Sequence, residues 1–410
     1  MFVFGQENKP NIVWLVCEDQ SAQFFPMYGD KTVSLPHLEK LAEDSVLFEN
    51  MHATTPVCAP ARSAIITGMY PTSLGTHNMR TYNEGRKTNQ PQLGIPSYSP
   101  KFPNYIKPFT VYLREEGYYC TNSNKQDYNF KITSDVWDQS CRYCQGEEKE
   151  NIHWRKRDAG QPFFSVFNFQ ITHESQIWKQ QEVFFDPKDI EFIPPYFPDD
   201  PVVRRDMATN YSNLVLMDKQ VGEIISELKE QDLYDDAYIF FYSDHGGPFP
   251  RHKRAIYQTG TKVPFFVKFP KSLHAGKKDD RLLSFVDLAP SILQMAGIEI
   301  PRHMQGKPIN KFLHKSLRDY LVTASDRFDG QYDRVRAIQD KRFKLIRSFF
   351  PDKSHHLDVQ YRKNMPMMQK LLKLYIDGQL NQDQQKWFGL KKEYEFYDLQ
   401  TDPYEMKNQI

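Results

Sequence analysis

The sequence predicts an α/β protein: a large mixed, mainly parallel sheet sandwiched by helices, followed by a smaller C-terminal α+β subdomain. Three observations carry that expectation. Apolar runs of strand length alternate with loops and helical stretches as far as about Pro301. Polar residues sit at the carboxyl ends of at least four of these strands: Glu18-Asp19, Lys125, His173 and Asp244-His245. Beyond Pro301 the alternation gives way to a hairpin, a helix and a last short strand.

The elements follow in order. Asn11-Ile-Val-Trp-Leu-Val-Cys17 is a continuous apolar run, as suits a strand covered on both faces. Ser34 with Pro36 just behind it reads as a helix start, and Leu38, Leu41 and Ala42 then share a face. Ser45–Asn50 reads as the next strand, Phe109–Gly117 as a short helix with a glycine stop, and Tyr118–Thr121 and Gln161–Gln170 as further strands. The stretch from Phe185 to Pro201, rich in proline, aspartate and aromatics, reads as a long surface loop. Within it Ile193–Asp200 is a rigid loop or a cover for a cleft. Leu214, Met217, Val221, Ile224, Ile225 and Leu228 have helical spacing, which predicts an amphipathic helix over Arg205–Glu230. Ala237–Ser243 and Val263–Phe269 are two more strands. Arg336–Arg347 reads as a hairpin turning near Gln339-Asp340, Met365–Leu380 as a helix and Glu395–Leu399 as a strand. The expected division is residues 8–305 for the main α/β domain and 306–410 for the subdomain. In a doubly wound sheet the ligand lies outside the carboxyl edge, so the four polar strand ends point to one site.

Composition narrows the class. A chain of 410 residues with 40% hydrophobic and 26% charged residues can bury a sizeable core and is globular. Its 53 basic and 52 acidic residues give a net charge of +1, which provides no general attraction to nucleic acid or anionic membrane. Anion binding must come from a local cluster. No apolar run is long enough to span a bilayer. The start, Met1-Phe2-Val3-Phe4-Gly5-Gln6, is too short for a complete signal peptide, and a trimmed remnant of one or an incidental start both fit it. Five cysteines, Cys17, Cys58, Cys120, Cys141 and Cys144, do not make a disulfide scaffold. Cys141-Arg-Tyr-Cys144 lacks the second ligand pair of a zinc site and reads as structural thiols or one disulfide.

The most specific string is Cys58-Ala-Pro-Ala-Arg62 followed by Ser63-Ala-Ile-Ile-Thr-Gly68. It resembles the signature of the type I sulfatases, in which this cysteine becomes formylglycine. Pro10-Asn-Ile-Val, Leu35-Pro-His-Leu-Glu-Lys-Leu and Glu395-Phe-Tyr-Asp-Leu-Gln-Thr-Asp-Pro-Tyr-Glu405 are similar to the family as well. The resemblance implies an alkaline phosphatase-like fold and a gem-diol nucleophile at position 58. One hydroxyl attacks sulfur and expels the alcohol; the other then loses its proton, and sulfate leaves as the aldehyde returns. A serine there would stay trapped as its sulfate ester. A helix N-terminus at position 58 also suits an anion.

The resemblance implies further roles. Glu18, Asp19, Asp244 and His245, with position 58, would hold a divalent cation. Hard oxygen ligands favour calcium, and magnesium stays possible. Glu18 stands where aspartate is usual. Arg62, Lys125 (in Asn124-Lys-Gln-Asp-Tyr128) and Lys253 (in Arg251-His-Lys-Arg254) would face the sulfate, and His173 would protonate the leaving alcohol. The family's usual second histidine is replaced by Asp127, so the base for sulfate release is open among Asp127, His77 and His252. His77, Arg80, Asp127 and His252 are the expected substrate contacts. The expected activity is hydrolysis of sulfate esters on a sulfated carbohydrate such as a glycosaminoglycan fragment, in the periplasm or outside the cell, with a formylglycine-generating maturase as partner. The alternatives are a phosphodiesterase or phosphonate monoester hydrolase of the same fold, and a non-catalytic binder of sulfated glycans.

Overall fold

The computed structural model describes residues 9–82, 88–90, 95–141, 152–180, 182–309 and 318–410. Its main sheet contains β1 (Ile12–Cys17), β2 (Val46–His52), β5 (Tyr119–Ser123), β6 (Gln139–Ser140), β7 (Phe163–Phe169), β8 (Tyr238–Ser243), β9 (Lys262–Val263), β10 (Phe265–Lys268) and β11 (Lys278–Ser284). The spatial order is β11-β2-β10-β8-β1-β7-β5-β6, with β9 paired to β2. β1 is parallel to both β7 and β8, and β7 to β5, whereas β10 runs antiparallel to β8 and β2. The sheet is therefore mixed and mainly parallel, as the sequence predicts. A short pair, β3 (Thr88–Gln90) and β4 (Ile95–Pro96), stands apart.

The central strands read as unbroken apolar runs because each face meets its own core. Val13, Leu15 and Cys17 of β1 pack with Phe163 and Phe167 of β7 and Ile239 and Phe241 of β8. That face carries α1 (Pro36–Glu43) and α4 (Pro201–Glu230). The alternate residues Ile12, Trp14, Val16, Phe164, Phe240 and Tyr242 face the opposite core with α2 (Cys58–Thr67), α3 (Phe109–Glu115) and α5 (Leu288–Met295). Helix α4 starts at Pro201, four residues earlier than its apolar spacing predicts. Asp200 caps it by accepting from the Val202 amide at 2.9 Å, and Pro201 needs no donor at that position.

The second sheet is antiparallel, in the order β12 (Leu321–Ser325), β13 (Val335–Gln339), β14 (Phe343–Ser348) and β15 (Tyr394–Asp398). The expected hairpin is β13–β14, and the expected last strand is β15. Helix α6 (Pro366–Ile376) stops before Gly378, whose φ of +66° only glycine adopts without strain. Met367, Met368 and Leu371 of α6 belong to the α4 core, so this C-terminal part is fastened to the main sheet and not merely appended. The expected break at 305/306 falls between α5 and β12, a connection partly outside the described residues. The run Val263–Phe269 is interrupted at Pro264, which lacks a ladder donor, and it splits into β9 and β10. Cys141 is disulfide-bonded, Cys17, Cys58 and Cys120 are free and buried, and Cys144 lies outside the described residues. Among the described residues no helix is long and apolar enough to cross a membrane.

Candidate active site

The carboxyl ends of four adjacent strands, β8, β1, β7 and β5, bring the site together. Cys17 and Ser243 are register partners, so Glu18-Asp19 leaves the sheet beside Asp244-His245. Asp19 adopts φ of +53°, and its backbone N–H donates to Asp244 Oδ1 at 3.1 Å. Polar residues at the end of an apolar strand emerge where the ladder stops. Here Glu18, Asp19, Lys125, Asp244 and His245 nevertheless remain buried, and His173 is half-buried.

Cys58 is the first residue of α2, with extended Val57 before it. Ala59, Ala61 and Ala64 let this helix lie wholly buried, and its positive N-terminal end faces the strand ends. The Cys58 Sγ is 3.2 Å from His245 Nε2 and 3.9 Å from Asp19 Oδ1. One turn on, Arg62 donates from Nε to Asp244 Oδ2 at 2.9 Å and from Nη1 to Asn168 Oδ1 at 2.7 Å; its Nη2 is 3.8 Å from Glu18 Oε1. Lys125 donates to Glu18 Oε2 at 2.6 Å. Lys253 donates to Asp19 Oδ2 at 2.6 Å and lies 3.1 Å from Glu174 Oε1 and 3.4 Å from His173 Nε2. Ser175 N–H donates to His173 Nδ1 at 3.2 Å, and His173 Nε2 lies 4.0 Å from Asp19 Oδ2.

Four carboxylates (Glu18, Asp19, Glu174, Asp244) and four cations (Arg62, Lys125, Lys253, Arg254) thus share one buried volume. Their protonation follows from burial set against partners. Burial raises Glu18 despite Lys125 and Arg62. Burial would also raise Asp19, but Lys253, with His173 and His245, holds it well below the usual carboxylate range. Asp244, opposed by burial but aided by His245 and Arg62, falls to about 2. His245 goes the other way, up to about 10, because Asp244 and the other anionic groups outweigh its burial. His173 is pushed down to about 3 by burial and by Lys253.

This acidic group suits a divalent cation. Single ligand atoms of Asp19, Cys58, Asp244 and His245 lie within 4.8 Å of one another, and a second set joins Glu18, Asp19 and His173. Glu18 Oε1 is buried without a hydrogen-bond partner, and His245 draws a proton into a place where a metal would supply the charge instead.

Most of the residues singled out in the sequence converge here: Glu18, Asp19, Cys58, Arg62, Lys125, His173, Asp244, His245 and Lys253. Asp127 is buried at φ of +53°, with Arg80 Nη2 at 3.7 Å from its carboxylate. His77 is half-buried on the loop after α2, and no hydrogen bond or ion pair ties it to the acidic group among the described residues. His252 is placed elsewhere. It stacks between Phe24 and Phe197, and its ring nitrogens meet the hydroxyls of Ser21 at 3.2 Å and Tyr196 at 3.0 Å. Both nitrogens are engaged and the side chain is sealed, so the expected substrate or base role does not fit it.

Sequence reasoning missed three members. Glu174 takes Arg254 in a bidentate pair at 2.8 and 2.9 Å and donates its backbone N–H to Asp19 Oδ2 at 2.7 Å. Asn168 joins Arg62 to β5 through Asn122. A single Asn inside Phe163–Phe169, and a Glu directly after His173, were the available signals. Arg254 was hidden because Arg251-His-Lys-Arg254 looks like a solvated basic run, whereas every member of it is buried.

Residues 10–298 match the family model described as Sulfatase, and residues 247–386 match one described as N-sulphoglucosamine sulphohydrolase, C-terminal. An ulvan-active sulfatase of Formosa agariphila is 40% identical over 98% of this chain and 71% of its own length. A human N-sulphoglucosamine sulphohydrolase is 24% identical over 98% of this chain and 86% of its own. A solved structure of a protein bound to its substrate D-glucosamine-2-N,6-O-disulfate superposes with a TM-score of 0.67 at 15% identity, covering 98% of this chain and 93% of that one. The phosphonate monoester hydrolase of Agrobacterium radiobacter shares the fold at a TM-score of 0.66 and 15% identity, with 98% and 91% covered. With the family model spanning most of the chain and a relative at this identity, the chain belongs to the sulfatase family, the sulfuric ester hydrolases of alkaline phosphatase-like fold.

Proposed function

We propose that this sulfatase removes sulfate from a sulfated carbohydrate, of the ulvan or glycosaminoglycan kind, with formylglycine formed from Cys58. The observation that carries the reading is the position of Cys58 at the start of α2, against Asp19 and His245, with Arg62, Lys125 and Lys253 in the same pocket. The names of the relatives support the substrate class.

Glu18, Asp19, Asp244 and His245, together with position 58, would hold the cation, and the carboxylate-rich donor set favours calcium. Formylglycine, once formed from Cys58, would supply a hydrated aldehyde as nucleophile, and the metal, when bound, would supply fixed positive charge. The chain's own groups do the rest. Arg62, anchored by Asp244 and Asn168, keeps its Nη2 buried without a hydrogen bond and 3.8 Å from Glu18 Oε1, as a cation left over for the sulfate group. Lys125 and Lys253 place two ammonium groups on either side of the Glu18-Asp19 pair, where a transferring sulfuryl group meets them. His173, with Ser175 at Nδ1 and Lys253 at Nε2, is the group we assign to deliver a proton to the departing alcohol oxygen, a role that requires the bound sulfate's negative charge to offset Lys253 and raise the imidazole from its low value. For uptake of the second proton the choice lies between Asp127, with Arg80 beside it, and His77. The proposed division of the chain is 8–305 for this chemistry and 306–410 for the subdomain that closes over it, and the proposed location is periplasmic or extracellular.

The experiment is release of inorganic sulfate from sulfated ulvan and glycosaminoglycan oligosaccharides, run beside 4-methylumbelliferyl sulfate and phenylphosphonate esters. Turnover of the sulfate esters supports the reading. Turnover of phosphonate esters alone would move the activity to the other chemistry of this fold.

A further inference from the structure

Two partly exposed aromatic side chains stand beside His173 and Ser175 without a part in the chemistry just described. Trp178 lies on the single helical turn Gln176–Lys179, three residues after Ser175. Tyr361 comes from the far side of the fold, on the 3-10 turn Gln360–Asn364 that leads into α6. Their ring centroids are 5.4 Å apart at 73°, an edge-to-face pair. The great majority of the large aromatics in the two cores are sealed, but Tyr361 is 40% exposed and Trp178 is half-buried.

Both turns are tied to the charged site, and the Gln176 N–H donates to the His173 carbonyl at 2.8 Å. Ser175 Oγ lies 2.9 Å from His173 Nδ1, and the Tyr361 hydroxyl bonds with Ser175 and feels the charges of Glu174, Lys253 and Arg80. The next residue, Arg362, is buried and reaches the Lys253 carbonyl with Nη2 at 3.4 Å and the His356 carbonyl with Nη1 at 2.7 Å. The turn that carries Tyr361 is therefore fixed to the backbone of Lys253, and the turn that carries Trp178 is fixed to His173. The histidine separates two environments. Its Nε2 side faces the charges that suit a sulfate group, and its Nδ1 side leads through Ser175 to the two rings.

A sulfate group has no use for an aromatic surface, since it is met by cations and N–H donors. A pyranose ring has: its axial C–H face packs on an aromatic ring while its hydroxyls stay wet, and amphipathic rings at a pocket mouth suit that contact. We propose that Trp178 and Tyr361 form the aromatic wall of the leaving-sugar subsite, packing against the sugar that carries the scissile ester and presenting its oxygen to His173. The inference rests on the sulfated-carbohydrate reading and deepens it: the main domain through Trp178 and the C-terminal subdomain through Tyr361 together supply specificity to the charged site.

The test uses the full-length enzyme with formylglycine at position 58 confirmed by peptide mass spectrometry, in the wild type and in Tyr361→Phe, Tyr361→Ala, Trp178→Phe and Trp178→Ala. Initial rates on sulfated ulvan disaccharides give KM, and inhibition by inorganic sulfate gives a Ki that reads the charged pocket alone. Each alanine variant should raise KM roughly tenfold, in line with loss of one aromatic contact. Each phenylalanine variant should recover most of that loss, and the sulfate Ki should stay at the wild-type value. A KM within about twofold of wild type in both alanine variants would overturn the inference. So would a sulfate Ki that rises in step with KM, because the rings would then be propping up the charged pocket. If the formylglycine-bearing wild type releases sulfate from no ester tested, the functional reading falls and takes this inference with it. An active wild type with indifferent alanine variants sinks the inference alone.

Discussion

Replacing Lys253 by methionine probes both the packing and the chemistry of the pocket. The ammonium is 1% exposed and sits 2.6 Å from Asp19 and 3.1 Å from Glu174. At an effective dielectric of about 20 these contacts are worth about 6 and about 5 kcal/mol of gross attraction. Most of that is offset by the cost of stripping water from the ammonium. The loss on substitution is therefore far smaller than the sum, about 3–5 kcal/mol, as found when one partner of a buried pair is removed. Glu174 keeps Arg254, so the damage should fall on Asp19, which loses its main counter-charge. Urea unfolding in EDTA reads this directly. On the functional side, removing one cation aimed at a transferring anion should lower kcat by about 10²–10³-fold. A variant that unfolds at the wild-type urea midpoint would show that the Asp19–Lys253–Glu174 contacts are not holding the pocket. A kcat within about threefold of wild type would show that Lys253 does not face the reacting group.

Other outcomes follow from the same structure. Asp19→Asn and Asp244→Asn should each remove most of the rise in melting temperature that calcium gives the wild type, and differential scanning fluorimetry with a calcium titration checks it. Burial lifts Asp206 to about 7, against the Met367 amide it accepts from and the nearby Arg205. An acid raised in the folded state binds more protons there than when unfolded, so stability falls as pH rises from about 4 to about 7 and levels off above. Asp206→Asn, which keeps the acceptor, should therefore gain stability over the wild type across that window, by at most about 4 kcal/mol at pH 8; a pH-independent difference would refute it. A Cβ at Gly246 would overlap the Thr259 carbonyl oxygen and the Gly260 Cα, both backbone. Gly246→Ala should cost about 1–3 kcal/mol and displace the Asp244-His245 end of β8, read as lost calcium affinity.

Much of this was legible because the sheet is buried on both faces. Ile12–Cys17, Phe163–Phe169 and Tyr238–Ser243 announce themselves as uninterrupted apolar runs, and the polar residue that ends each one marks the site edge. β11 was not legible, since Lys278-Asp-Asp-Arg begins an edge strand whose first half faces solvent. Its core-facing half, Leu282–Ser284, is too short to give a period. The surroundings of His252 were illegible for another reason. Phe24, Phe197 and Phe249 reach it from three separate segments, and no local pattern records that meeting. The same holds for Lys253. In sequence it is one charge in a basic run, and only the loop after β8, with Arg251 and Arg254 at positive φ, turns it inward to Asp19. Tyr361 lies far along the chain from His173, and nothing around Gln360–Asn364 signals that the turn comes to rest beside Ser175.

The central claim is that the side chain at position 58 is the nucleophile in its oxidised form. Peptide mass spectrometry of the Cys58 segment, on enzyme made with and without a formylglycine-generating maturase, paired with sulfate release by the same samples, tests it most directly. Sulfate release should scale with the fraction of peptide whose thiol has become an aldehyde, and should vanish where the thiol is intact. Full activity from protein carrying only unmodified Cys58 would contradict the account.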